Sequence, residues 1–195
     1  MTWFRDFTAP LWQIFGGNLL MFVTLVFYIA WWTVSFRPNG DGNTAGAGFF
    51  IVVAFFTGVA AIAILFTGIN SFSQAGKGFP VTYILAGAAA SFIILLAVTK
   101  IVFQRAVTSE LLLIVIWAAL EWSAIAALQG SGRFSLGPAL TLAALVALAT
   151  CTGMACYLLH YHLVDETSRF WNGLIPLIAP AGVVAVFLAV QALSC

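Results

Sequence analysis

The chain has 195 residues, of which 63% are hydrophobic and only 7% charged. A soluble domain carries about a quarter charged residues, so this composition excludes a soluble surface of ordinary make-up and makes lipid the expected main solvent. The formal net charge is +1, and no basic patch offers a footprint for nucleic acid.

A helical membrane span needs about 20 apolar residues, and the charged residues divide the chain into runs of that kind. No charge occurs between Asp6 and Arg37; a first helix is expected from about Gln13 to Phe36. This run is long enough to be a span itself, and no small-residue cleavage site follows it, so it is read as a span and not as a secretory leader. Arg37-Pro38-Asn39-Gly40-Asp41-Gly42-Asn43 is a turn signal, rich in residues that supply special backbone geometry. A second helix is expected over about Ala47–Ser71, and a third over about Phe79–Thr99 after the polar loop around Gln74, Gly76 and Lys77. The fourth is Ser109–Leu128, SELLLIVIWAALEWSAIAAL. Pro138 suits the start of a fifth helix, where its missing N–H does no harm; this helix is expected to reach about Leu163. The sixth should run from about Gly173 to Leu193, with Pro176 in its first turn and Pro180 further in, where it should kink the helix or free a carbonyl.

The expected fold is therefore all-α: a polytopic integral membrane protein with six transmembrane helices in a single domain, residues 1–195. Shifting the chain by 92 residues lays Asn18–Val98 on Glu110–Val190 without a gap. Leu96-Ala97-Val98 then falls on Leu188-Ala189-Val190. The match is mainly one of hydropathy. It is read as two three-helix repeats, 13–99 and 108–193, which an odd number of spans would place in inverted orientation. Lys and Arg are spread almost evenly between the two sides, so the positive-inside rule does not decide orientation; the N-terminus is placed outside the cytoplasm. Ala54 and Gly58, Gly87 and Ser91, and Ala143 and Ala147 are small-residue pairs four apart, a spacing that lets membrane helices approach closely. Trp3, Trp12, Trp31, Trp32, Trp171 and Tyr83 fall near expected span ends, where interfacial anchoring accounts for them; Trp117 does not.

The fourth run carries Glu121 near its middle. An ionised carboxylate at that depth costs about 2.5–3.5 kcal/mol on insertion scales if it faces lipid. It is expected to be protonated or wet, either as a proton- or solute-contacting group or as a hydrogen-bonded packing residue. Glu110, Trp117 and Glu121 lie close to one helix face, because eleven residues make nearly three turns. Glu110 stands at the helix head, where capping by Ser109 and the helix dipole explain it first and a pathway mouth second.

Tyr157, His160, Tyr161, His162, Asp165 and Glu166 form a second polar cluster at the end of the fifth run. Its histidines could serve a proton relay or pH sensor. They are two apart and point to nearly opposite sides of a regular helix, which disfavours a metal site; the plainer reading is a set of interfacial polar residues. Gln13, Asn18 and Asn70 read as isolated structural polar groups near span ends. Cys151, Cys156 and Cys195 make no disulfide framework. No dinucleotide, phosphate-loop, zinc-protease, CxxC or nucleophile-elbow motif occurs, so no cofactor is expected.

FFTGVAAIAILFTGINSFSQ at Phe55–Gln74, followed by GKGFPVTY, and the run TGMACYLLHYHLVDETSRFWNGLIPL resemble the acetate uptake transporter family. That family's N-terminal NPAPLG motif is reduced here to Thr8-Ala9-Pro10-Leu11, and the chain continues into a further span. FPVTYILAGAAASFIILLAV and the Gly/Ala-rich second helix are similar to the HdeD acid-resistance family of six-span proteins, without its repeated Trp and Pro positions. Neither resemblance carries binding residues onto this chain.

The expected function is a small-solute channel or proton-coupled transporter in a membrane, placed in a bacterial inner membrane. Glu121 and Trp117 would line its path, and His160, His162 and Glu110 would serve its mouths. Alternatives are an accessory or stress-related subunit of a larger membrane complex, and an intramembrane enzyme or lipid-binding protein. Membrane lipids, a small solute or proton, and a second copy of the chain are the expected partners.

Overall fold

The computed structural model describes residues 8–38, 46–74, 81–101 and 109–194. Six α-helices follow in order: α1 (Ala9–Ser35), α2 (Ala47–Gln74), α3 (Val81–Ile101), α4 (Ser109–Gly130), α5 (Leu136–Leu159) and α6 (Glu166–Leu193). Five are long and apolar enough to cross a membrane; the described apolar part of α3, Ala86–Ile101, is shorter. No strand occurs among the described residues. The Asn39–Ala45 turn, the Lys77 loop, Arg105, Cys195 and the residues before Thr8 lie outside the described residues.

Local chemistry explains most of the boundaries. Pro10 sits in the first turn of α1, where no N–H is needed. Pro38 disfavours helix at Arg37, and α1 stops at Ser35. α4 closes on a tight turn: the Arg133 and Phe134 amides both donate to the Leu128 carbonyl, at 3.0 and 3.1 Å. Gly132 takes φ +76° there, a conformation glycine adopts freely.

Three expected boundaries are corrected, the first being the start of α1, at Ala9 and not Gln13. α5 ends at Leu159 and is followed by a 3-10 turn, His160–His162, instead of continuing to Leu163. α6 begins at Glu166, two turns before Gly173, because the Asp165 side chain caps it by accepting from the Ser168 amide at 2.8 Å. Pro176 and Pro180 consequently both lie inside α6. Neither has an N–H to return to the carbonyl four residues earlier, so the carbonyls of Asn172 and Pro176 lose their usual helix partners.

α1 and α2 make the most extensive pairing in the bundle. Glycine permits it: a Cβ at Gly17 would lie 2.6 Å from Leu65 Cγ, and one at Gly68 3.0 Å from Ile14 Cγ1. The Thr24 and Thr57 hydroxyls pair across the seam at 2.9 Å. α6 packs antiparallel on α1, with Trp32 lying over Gly173 at one end and Gln191 Nε2 donating to the Leu11 carbonyl (3.4 Å) at the other. α5 packs on α6 and on α4, and α4 touches α2. The helices α1, α2, α4, α5 and α6 thus close a five-membered ring. α3 stands outside it, leaning on α4 with marginal contact to α2.

The antiparallel pairs define two ends. The His160 face holds the C-terminus of α1, the 3-10 turn and the start of α6. The opposite face holds the N-terminus of α1, the α4–α5 turn and the C-terminus of α6. Between the ring's midpoint and the opposite face the interior is filled by Leu11, Ile14, Leu65, Leu128, Leu142 and Phe187, all fully buried. Phe134 crosses Phe187 edge-on at 5.9 Å.

Candidate functional site

Each ring helix turns one stripe inward. On α1 it is Asn18, Met21, Leu25, Tyr28 and Trp32, alternating three and four apart, which keeps them on one helical face. On α4 it is Ile114, Trp117, Glu121 and Leu128. In the half of the ring nearer the His160 face these stripes do not meet. They enclose a cavity of about 360 Å³, lined by all five ring helices and by His160. Its walls are mainly apolar: Met21, Leu25, Ile62, Ile114, Ile116, Ala149, Leu177 and Pro180. Small residues, Gly58, Gly153 and Gly173, widen it.

The end toward the His160 face is polar and aromatic, with Tyr28, Trp32, Tyr157, His160 and Asn172. Two hydrogen bonds fix this rim. Trp32 Nε1 donates to the Phe170 carbonyl at 3.1 Å, and Asn172 Nδ2 donates to the Cys156 carbonyl at 2.8 Å. The second ties the end of α5 to α6 where the 3-10 turn begins.

The closed end rests on Trp117, only 7% exposed, whose Nε1 has no hydrogen-bond partner. One turn further from the cavity lies Glu121, 1% exposed, with both carboxyl oxygens partnerless. The Trp117 indole is the polar group that acts on this carboxyl, yet the pair falls short of hydrogen-bond geometry. Asn18 sits at the same level on α1, one turn beyond cavity-lining Met21. It is 0% exposed, and its Oδ1 and Nδ2 are also unpartnered. Buried side-chain polar atoms are paired in the large majority of cases, and each exception calls for a reason. Here three side chains from two helices leave such atoms unpaired just under a cavity floor.

The structure brings Trp117 and His160 to one cavity and sets Glu121 beneath its floor. His162 is exposed and does not line it, since the 3-10 turn sends it to a different side. The Glu110 side chain lies outside the described residues. Asn18, expected near a span end, is deep: α1 starts at Ala9, which puts Asn18 about 14 Å along the helix. Trp32, expected as an interfacial anchor, is part of the cavity rim. The heptad-like spacing from Asn18 to Trp32 is the sequence signal that could have joined them. Among the described residues no group of three or more His, Cys, Asp or Glu gathers to hold a metal ion.

No protein-family model, curated protein or solved structure matches the chain.

Proposed function

We propose that the ring is a proton-coupled membrane carrier for a small, largely apolar solute. The solute enters the cavity from the His160 face, and Glu121 exchanges a proton with it during the cycle. One observation carries this reading: a cavity that ends blindly on Trp117, with a fully buried, partnerless carboxyl one turn beneath. Intramembrane acids of this kind mark solute pathways and proton relays, and midplane sites between helices interrupted by proline are a common carrier plan. The fully buried seal below Glu121 fits a carrier state open to one side better than a continuous channel.

The test is solute-driven proton movement into liposomes that enclose a pH-sensitive dye, surveyed over small amines, alcohols and carboxylic acids. Wild-type protein should move protons with at least one class, and Glu121→Gln should abolish that coupling with unchanged yield and melting. Absence of coupled movement for every class, or equal coupling in Glu121→Gln, would sink the reading. A second reading, a binder of lipid-like molecules without transport, draws on the same apolar walls. It predicts cavity occupancy with no solute flux.

A further inference from the structure

We infer that the cavity is built for a lipophilic organic cation, a small amine in its ammonium form; this rests on the carrier reading and names its solute class. The assignment starts from what surrounds the cavity. Its lining contains no Lys or Arg, and the one lining residue that can carry positive charge, His160, sits at the rim, at the far end of the cavity from Glu121. The one carboxyl at its closed end is Glu121, which lacks a partner. α2 has no titratable side chain at all, and those of α1 and α5, Tyr28, Cys151, Cys156 and Tyr157, lie nearer the His160 face, as do Glu166 and Arg169 of α6. On α3, Tyr83 and Lys100 are exposed. His160 and His162 belong to the 3-10 turn at the same face as Glu166 and Arg169, and Arg133 to the α4–α5 turn at the opposite face, so no described cation stands at the level of Glu121.

The neutral groups point the same way. Tyr28, Trp32, Trp117 and Tyr157 put four aromatic rings on the cavity lining. Ring faces attract ammonium groups, most strongly when the cation is desolvated. Pro176 and Pro180, both lining the cavity, deprive the Asn172 and Pro176 carbonyls of their helix donors, adding acceptors at the same wall. Backbone carbonyls without helix donors coordinate cations in the broken helices of other membrane proteins. A carboxyl, π faces and spare carbonyls together are a cation's environment. The apolar walls select an organic ion over a hydrated metal, and 360 Å³ lies at the small end of the ligand-site range of about 300–1,000 Å³. Trp117 separates the cavity from Glu121, so rotation of its indole admits the ammonium to the carboxyl. The proton that Glu121 held then leaves, and charge inside the ring is conserved.

The test uses three probes of one carbon skeleton, phenylbutylamine, phenylbutanol and phenylbutyrate, titrated calorimetrically into the detergent-solubilised protein at pH 7. An alkylamine is protonated there, as a lysine side chain is. The amine should bind at least about tenfold more tightly than the alcohol, a gap of roughly 1.4 kcal/mol, and the carboxylate weakest. Glu121→Gln should erase the amine's advantage while leaving alcohol binding in place, which also shows that the variant folds. Glu121→Asp, which keeps the charge, should retain the preference. An amine that binds no better than the alcohol, or an advantage that survives in Glu121→Gln, overturns the assignment. Either result leaves the carrier reading to stand or fall on liposome proton movement with the other classes.

Discussion

Asn18 and Glu121 are the residues at which this chain departs most from what a packed membrane core needs. A buried polar group left unpaired costs about 1–3 kcal/mol, and both side chains bear that cost in the same layer. If Asn18 serves the solute cycle, its replacement by an apolar side chain of similar size should separate stability from function. Asn18→Leu should raise stability by about 1–3 kcal/mol, seen as a higher melting temperature in detergent, and should lower coupled flux. Such a trade is expected where a site is built at the expense of packing. A variant that melts lower and transports normally would return Asn18 to a structural role. Gly173 makes the opposite case. A Cβ there would run into the Trp32 indole, a rigid ring held by its bond to the Phe170 carbonyl. Gly173→Ala should therefore cost about 1–3 kcal/mol, as overpacking does, and should abolish the Trp32 hydrogen bond. Gly48→Ala, with open space at its Cβ, is the control.

Among the helices, the sequence signals ranged from plain to silent, and α6 shows why. Its apolar run was legible from composition, yet its first two turns, ETSRFWN, carry polar residues that hydropathy assigns to a loop. Capping chemistry decides otherwise. The Asp165 carboxylate accepts from the Ser168 amide and from the Ser168 hydroxyl at 3.0 Å, and these bonds, the amide first, hold its pKa below the ordinary carboxylate value. A carboxyl whose folded pKa is depressed adds stability above its unfolded pKa, and that contribution is lost as pH falls through the folded value. Acidification below the usual Asp range should therefore fray the start of α6, read as faster amide exchange at Ser168 and Arg169, while the rest of α6 stays protected. Asp165→Asn should remove most of that pH dependence. The ring order was not legible at all. α3 and α6 are both apolar runs of suitable length, and only packing shows that α6 closes the ring on α1 while α3 stays outside against α4. Trp117 and Glu121 were readable because a helix spacing of four put them on one face. Asn18 looks peripheral in a helix that starts at Gln13; with Pro10 in the first turn α1 starts at Ala9, four residues earlier, and Asn18 lies deep.

The bundle as a whole is asymmetric along its axis. Toward the His160 face the ring encloses a cavity whose rim carries Trp32, His160 and Asn172. Toward the opposite face the same helices interdigitate through Val146, Val184 and Phe187, all 0% exposed. Interiors packed this closely are bistable more than they are continuously deformable, so a carrier built on this ring must break the lower seal as a unit when it turns. Cysteine accessibility can follow that step. In a background with the native cysteines replaced by serine, Leu177→Cys on the cavity wall should react with a small hydrophilic thiol reagent applied from the His160 face and stay protected from the other. Val184→Cys, two turns deeper on the same helix, should be unreactive from both faces at rest. It should become reactive from the opposite face only while solute and a pH gradient are both present. Reactivity of Val184→Cys at rest would mean a continuous pore. Its persistent silence during coupled flux would place the solute path outside the ring. In the carrier reading, the layer of Asn18, Glu121 and Val184 is where the two halves of the cycle would hand over, and Val184 reports on it without altering either polar group.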